Sequence, residues 1–230
     1  MPRKKKGNPD QSMSIFFILD GSGSMSGVQD DVIGGVNEFI ELQKKEPGQT
    51  TFSLTVFDTS VNKVYDAEPI ANVKEVNRAI TFRGGGTALL DAVGKTLADA
   101  EGANLPGKKL VVIYTDGHEN SSTEFKNDDI KKLISRLEQQ GDWTFTYMSA
   151  DVDNFDNARA IGVAAGNYVM TSSGTTRGNF STLSRASTAH RVSPTMSSKN
   201  FAEEYNVNAA EAAILQEQGG LVLDKDNQQE

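Results

Sequence analysis

Asp20-Gly21-Ser22-Gly23-Ser24 is the first stretch of this sequence that could do chemistry. Side-chain oxygens fall at every second residue, and the glycines between them let the backbone turn tightly enough for all three to face one point. Gly84-Gly85-Gly86-Thr87 offers a fourth oxygen on a glycine-rich loop, just ahead of a helix expected from about Ala88. Asp116, in Thr115-Asp116-Gly117, would be the fifth. A donor set made only of oxygen, with His118 the sole nearby histidine, disfavours zinc, copper and other nitrogen- or sulfur-seeking metals. Mg²⁺ takes octahedral coordination at about 2.0 to 2.1 Å, keeps waters and needs only one or two carboxylates, so two aspartates and three hydroxyls suit it. Mn²⁺ is the next choice and Ca²⁺ suits the set less. A cation held partly through water keeps positive charge and a free position, which an Asp or Glu of a partner could fill.

These groups need elements that bring them together. Ser14 to Asp20 is a continuous apolar run ending on a carboxylate, the pattern of a central parallel strand covered on both faces. Val28, Val32, Val36, Phe39 and Ile40 recur at helical spacing, Ser26 with Gln29 resembles a capping box, and Pro47-Gly48 stops the run. Phe52, Leu54 and Val56 alternate with Thr51, Ser53 and Thr55, and a turn at Asp58-Thr59-Ser60 leads into Val61 to Tyr65, predicting an antiparallel edge hairpin. Leu89, Leu90, Val93 and Leu97 mark a second helix, and Leu110 to Tyr114 a second buried strand that again ends near an acid, Asp116. Ile130, Leu133, Ile134 and Leu137 give a third helix, followed by a strand through Trp143, Phe145 and Tyr147 that runs toward Asp151. A short helix near Asn157 to Ile161 and a strand at Tyr168 to Met170 complete the pattern. Helix and strand alternate throughout, which predicts an α/β domain with a doubly wound, mostly parallel sheet, one antiparallel edge strand and helices on both faces. In such sheets ligands bind beyond the carboxyl ends of the strands, where Asp20 and Asp116 both fall.

Other site motifs fail on spacing. An EF-hand loop starting at Asp20 would put Met25 where glycine is needed and Asp31 where glutamate is needed. A Gly-x-Ser-x-Gly nucleophile elbow fails because Asp20 and Ser24 stand two residues either side of Ser22. Gly94-Lys95-Thr96 imitates the end of a phosphate-binding loop, but Leu89 sits where its first glycine belongs. A phosphatase of the Asp-x-Asp kind would lack its second acid, which is Ser22 here. Metal-assisted hydrolysis of phosphate or peptide substrates stays open as the alternative to a binding role, because a bound cation can activate water.

Taken together, Asp20-Gly21-Ser22-Gly23-Ser24, Thr87 in Gly85-Gly86-Thr87-Ala88-Leu89, and Thr115-Asp116-Gly117 resemble the metal-ion-dependent adhesion site of von Willebrand factor A domains. The resemblance covers roughly Ser14 to Met170 and implies a Rossmann-like sheet in which the five matching residues ligate the metal directly or through water. The phrases Gly86-Thr87-Ala88-Leu89-Leu90-Asp91-Ala92 and Thr115-Asp116-Gly117-His118-Glu119-Asn120 look more like bacterial or phage intracellular members, including TerY-type tellurium-resistance proteins, than like integrin domains. By that resemblance the function is a protein-interaction module, with a stress-response or AAA+ ATPase assembly as its setting, and not an enzyme. Gly86, His118, Glu119, Asp58 and Asp151 are candidates for the rim that meets the partner. For the four polar members a solvated loop, a turn or a strand terminus is the competing explanation.

Bulk properties narrow the field. With 230 residues, a single compact domain would bury about 70 to 75% of its unfolded surface, enough for a full core. A net charge of -8 argues against general attraction to nucleic acid. No apolar run approaches the roughly 20 residues of a membrane span, and Ile15 to Leu19 is too short for the apolar part of a signal peptide. With no cysteine, the chain suits a reducing compartment, and a cytoplasmic location is the expectation. Residues 1–12 read as a flexible tail with a basic tip at Arg3 to Lys6, 13–190 as the domain, and 191–230 as a linker and tail. Serine and threonine fill 13 of the 27 residues from Ser172 to Ser198, although Phe180, Leu183 and Ala186 could line one helix there. Val207 to Glu217 reads as an isolated or docking helix, and Asp224 to Glu230 as a polar tail.

Overall fold

A computed structural model describes residues 11–151, 154–172, 174–192 and 201–204. The basic tip, the expected helix at Val207 to Glu217 and the terminal polar stretch lie outside the described residues. Strand β1 (Met13–Asp20) is buried along its whole length, as its unbroken apolar run requires. It lies between β2 (Thr50–Phe57) and β4 (Lys108–Tyr114), parallel to both. Beyond β4 come β5 (Trp143–Ser149) and β6 (Tyr168–Met170), again parallel, while β3 (Val61–Pro69) pairs antiparallel with β2 at the other edge. The order is β3-β2-β1-β4-β5-β6, so the winding reverses between β1 and β4. This is the expected mixed, doubly wound sheet, and the reversal places the ends of β1 and β4 side by side.

Successive residues of a strand face opposite sides, and β1 uses both. Ile15, Phe17 and Leu19 pack with Val32, Val36, Phe39 and Ile40 of α1 (Gln29–Gln43) and with Phe180, Leu183 and Ala186 of α6 (Thr176–Val192). Phe16 and Ile18 pack on the other face with Leu89, Val93 and Leu97 of α3 (Leu89–Gly102) and Ile130, Ile134 and Leu137 of α4 (Asn127–Glu138). Two shorter helices, α2 (Arg78–Thr81) and α5 (Asn154–Ala160), flank the carboxyl end of the sheet. α1 and α6 meet closely because Gly35 has no side chain: a Cβ there would stand 2.1 Å from the Phe180 ring. Among the described residues no helix is long and apolar enough to cross a membrane.

One expectation changes. The capping box at Ser26 and Gln29 does not form; Gly23–Gly27 makes a 3₁₀ turn, α1 starts without a side-chain cap, and buried Gln29 donates to Thr81 Oγ1 at 3.0 Å. The tight turn keeps Ser24 directed at Asp116, and that geometry takes precedence over the local cap. The edge hairpin forms as expected, and on β2 the polar residues Ser53 and Thr55 are buried along with the apolar ones. Thr55 accepts from Thr96 of α3 at 2.9 Å, and Ser53 accepts from the backbone N–H of Ala67 at 2.9 Å, where a bulge puts Ala67 at φ 50°.

Past residue 190 the chain still contributes buried side chains. Arg191 donates to Thr50 Oγ1 at 2.6 Å and Gln43 Oε1 at 2.7 Å, and Phe201 of α7 (Phe201–Glu204) packs edge-on against His190. His190 itself is buried beside Lys108, with Nε2 3.0 Å from Thr144 Oγ1, and burial pulls its pKa down to about 4. A histidine whose folded pKa lies below its unfolded value stabilises the fold above the unfolded pKa and loses that stability as pH falls toward the folded one. Acidifying from pH 7 to 4.5 should therefore cost wild type about 2 to 3 kcal/mol more than His190→Gln. Urea midpoints at the two pH values check this, and parallel losses in both proteins would refute it.

Candidate metal centre

Each of the three loops is held by backbone bonds that the sheet supplies. Gly21 N–H donates to Phe57 O at 2.7 Å, and Gly21 O accepts from Arg83 and Gly84, so the turn after β1 is tied to the glycine-rich loop. A Cβ on Gly21 would lie 2.2 Å from Thr81 O, which explains glycine directly after Asp20. Ala88 N–H donates to Asp58 O, and Asn120 and Ser121 N–H both donate to Thr87 O, locking the Thr87 loop between its neighbours.

The five predicted oxygen donors come together. Ser22 Oγ and Ser24 Oγ are 3.1 Å apart, and Ser24 Oγ donates to Asp116 Oδ1 at 2.8 Å. The position that a Cβ on Gly117 would take lies 2.9 Å from Thr87 Oγ1, 3.2 Å from Ser24 Oγ and 3.3 Å from Asp20 Oδ2, so three loops meet at one point that glycine leaves open. Asp20 and Ser22 are buried. Burial pushes the Asp20 carboxyl above the usual carboxylate range; hydrogen bonds from Thr115 and Ser22 pull it back and the nearby Asp116 charge raises it further. Burial likewise raises Asp116, opposed by the bond from Ser24 and reinforced by the charge of Asp151. Among the described residues neither carboxylate forms an ion pair with a lysine or arginine. Two carboxylates and three hydroxyls with no lysine or arginine paired to them are a donor set that fits one hard divalent ion.

The rim residues divide. Asp58 Oδ1 accepts from Ser60 N–H and Oγ at 2.8 Å each, closing the hairpin turn beside Gly85. Gly86 serves by its lack of a side chain: a Cβ would stand 2.3 Å from Ser121 Oγ. His118 and Asp151 face each other at the edge, Nε2 to Oδ2 3.9 Å. Glu119, expected at the rim, turns back to cap α3: Oε1 accepts from Ser121 and Ser122 N–H, and Oε2 from Leu90 N–H and Ser122 Oγ, all between 2.7 and 2.9 Å.

Three supporting side chains went unassigned in the sequence. Thr115 Oγ1 donates to Asp20 Oδ2 at 2.5 Å and fixes that carboxylate from β4. Asn120 Oδ1 accepts from Thr87 N–H at 2.9 Å. Asp91 accepts from the N–H groups of Thr123, Glu124 and Phe125, each at 2.9 Å. Burial works against the Asp91 charge, yet those donors and Lys95 hold its pKa below the usual carboxylate range. The available signal was an acid on the apolar stripe of α3, between Leu90 and Val93. Asp91→Ala should cost about 2 to 3 kcal/mol at pH 7, since it orphans several N–H groups that a charged acceptor serves, while alanine keeps the helix propensity. Urea unfolding measures this, and a loss below about 0.5 kcal/mol, the range of a neutral surface change, would show that the clamp is idle.

The fold and this crevice define a doubly wound α/β domain with an oxygen-lined recess at its topological switch point. The chain belongs to the von Willebrand factor type A domain family, whose profile matches residues 14–185. Human integrin alpha-D is 31% identical over an alignment of 121 residues that covers 47% of this chain and 10% of that protein. The chain thus spans about a tenth of that relative's length. Among solved structures, the vWF domain of the type V pili tip protein Mfa5 from Porphyromonas gingivalis superposes with a TM-score of 0.62 at 10% identity, covering 80% of this chain and 98% of that one. The von Willebrand factor type A protein from Catenulispora acidiphila gives 0.57 at 18% identity, over 77% of this chain and 42% of that chain. The manganese-loaded TRAP protein of Plasmodium vivax gives 0.50 at 15%, over 74% and 72%. At such identities the structural likeness establishes the fold. Domains of this family commonly mediate metal-dependent protein–protein interaction, and they are generally binding modules.

Proposed function

We propose that Asp20, Ser22, Ser24, Thr87 and Asp116 hold one Mg²⁺, replaceable by Mn²⁺, and that the loaded site binds an Asp or Glu side chain of a protein partner. The observation that carries this reading is the convergence of three separate loops: Ser24 Oγ donates to Asp116 Oδ1 and lies 3.1 Å from Ser22 Oγ, and Thr87, Ser24 and Asp20 oxygens all lie within 3.3 Å of where a Cβ on Gly117 would stand. The cation would supply positive charge and a coordination position for the incoming carboxylate. Asp20 and Asp116 supply the negative charge that retains the ion, and the three hydroxyls add neutral donors that leave that charge incompletely cancelled. Thr115 and Ser22 N–H orient Asp20, while Asn120 orients the Thr87 loop. An adaptor role in a stress-response or AAA+ assembly is the setting suggested by the motif phrases that look like intracellular members.

Affinity purification of the wild type in Mg²⁺, the wild type in EDTA, and Asp20→Ala in Mg²⁺ tests this. A partner is expected in the first sample and absent from the other two. Identical partners in all three would refute metal-dependent capture.

A further inference from the structure

His118 stands at the rim on a loop two residues beyond Asp116, with 61% of its side chain exposed. Its ring is held from behind by a relay that starts in the core. Buried Asn154 donates through Nδ2 to Ser149 Oγ at 3.0 Å, and Asn154 Oδ1 accepts from Asn157 Nδ2 at 2.6 Å. The same Asn157 nitrogen lies 3.2 Å from His118 Nδ1. An amide nitrogen only donates, so Nδ1 must be the acceptor and the neutral imidazole carries its proton on Nε2. The relay therefore selects one tautomer and points an N–H outward. Asp151 Oδ2 is 3.9 Å from Nε2, beyond hydrogen-bond reach, so that pair leaves the N–H to be satisfied by something else. Asp151 is also near enough to Asp116 for its charge to act there, so the side of the ring that faces Asp151 lies at the same end of the sheet as the recess.

A carboxylate has two oxygens, and a single coordination position takes one of them. We propose that His118 Nε2–H donates to the second oxygen of the captured carboxylate, with Asn157 as the residue that keeps the ring in the donating tautomer. His118 is thus a specificity residue for carboxylates over ligands with one oxygen, and the proposal rests on the metal-capture reading above.

The test uses the full chain, Mn²⁺ and acetate as the minimal carboxylate, at pH 7.5. Calorimetry first gives Mn²⁺ affinity, and paramagnetic relaxation of the acetate methyl protons then gives acetate affinity for the loaded protein. His118→Ala should keep Mn²⁺ affinity within about twofold and lose about tenfold in acetate affinity, the value of one hydrogen bond to a charged group. His118→Gln, which retains a side-chain N–H, should recover most of the loss, and Asn157→Ala should move the imidazole ¹⁵N signals toward a mixture of tautomers. Equal acetate affinity in wild type and His118→Ala, with Mn²⁺ binding intact, overturns this proposal and leaves the metal site standing. Unmoved ¹⁵N signals in Asn157→Ala overturn the tautomer relay. A wild type that binds no Mn²⁺ overturns the metal-site reading itself, and a loaded wild type that ignores acetate overturns carboxylate capture.

Discussion

Asp20→Ala is expected to lower Mg²⁺ affinity by at least about 100-fold, above the 10- to 100-fold typical of losing a residue that only supports a ligand. Asp20 is buried, and its two oxygens do different work: Oδ1 accepts from Ser22 N–H at 2.7 Å and Oδ2 from Thr115 Oγ1. Both bonds fix the carboxylate while leaving it without a cationic side chain, so the charge that attracts the ion disappears with the mutation. Thr87→Ser keeps the hydroxyl and removes only a methyl group, so its loss should be about tenfold or less. Calorimetric titration of the three proteins decides the matter. Equal losses in the two variants would mean that the recess is not the binding site.

Phe180→Ala should destabilise the fold by about 3 to 5 kcal/mol, the range for deleting a fully buried aromatic ring. The ring is stacked between Phe17 of β1 and Tyr114 of β4, with centroids 6.1 and 5.9 Å away, and lies against Gly35 of α1. Gly35→Ala alone should also destabilise, because its methyl enters the ring, but the same methyl in a Phe180→Ala background enters the space left behind. The double variant should therefore lose less than the two single losses together, a coupling that urea unfolding reads as a double-mutant cycle. Strict additivity would show that Gly35 and Phe180 do not share one packing site. The prediction matters for function because Phe17 and Tyr114 belong to the two strands whose ends carry Asp20 and Asp116. α6 thus packs against the two strands that present those carboxylates.

That helix also shows where local sequence signals weaken. Between Ser172 and Val192 serine and threonine dilute every propensity argument, and only Phe180, Leu183 and Ala186 keep helical spacing. α6 forms because those three residues have a sheet face and α1 to pack on, and tertiary burial outweighs weak intrinsic preference. The central strands were legible for the opposite reason. A strand covered on both faces favours apolar residues at most positions, so the runs before Asp20 and Asp116 announce both the strand and the place where it emerges.

The donor set could be read from the chain itself, since Asp20, Ser22 and Ser24 are neighbours and glycine spacing governs whether they can share one point. The supports could not. Thr115 reaches Asp20 across 95 positions, Asp91 holds the backbone of Thr123 to Phe125, and Asn157 sets the His118 ring across 39 positions. None of these contacts has a period or a motif, because each pairs residues that only the strand order brings together. Sequence alone therefore determined which atoms could hold a cation and the alternation of strand and helix that carries them. The tertiary structure decided how those atoms are aimed, which neighbouring acids face the recess and which serve as caps, because aim depends on hydrogen bonds between segments far apart along the chain.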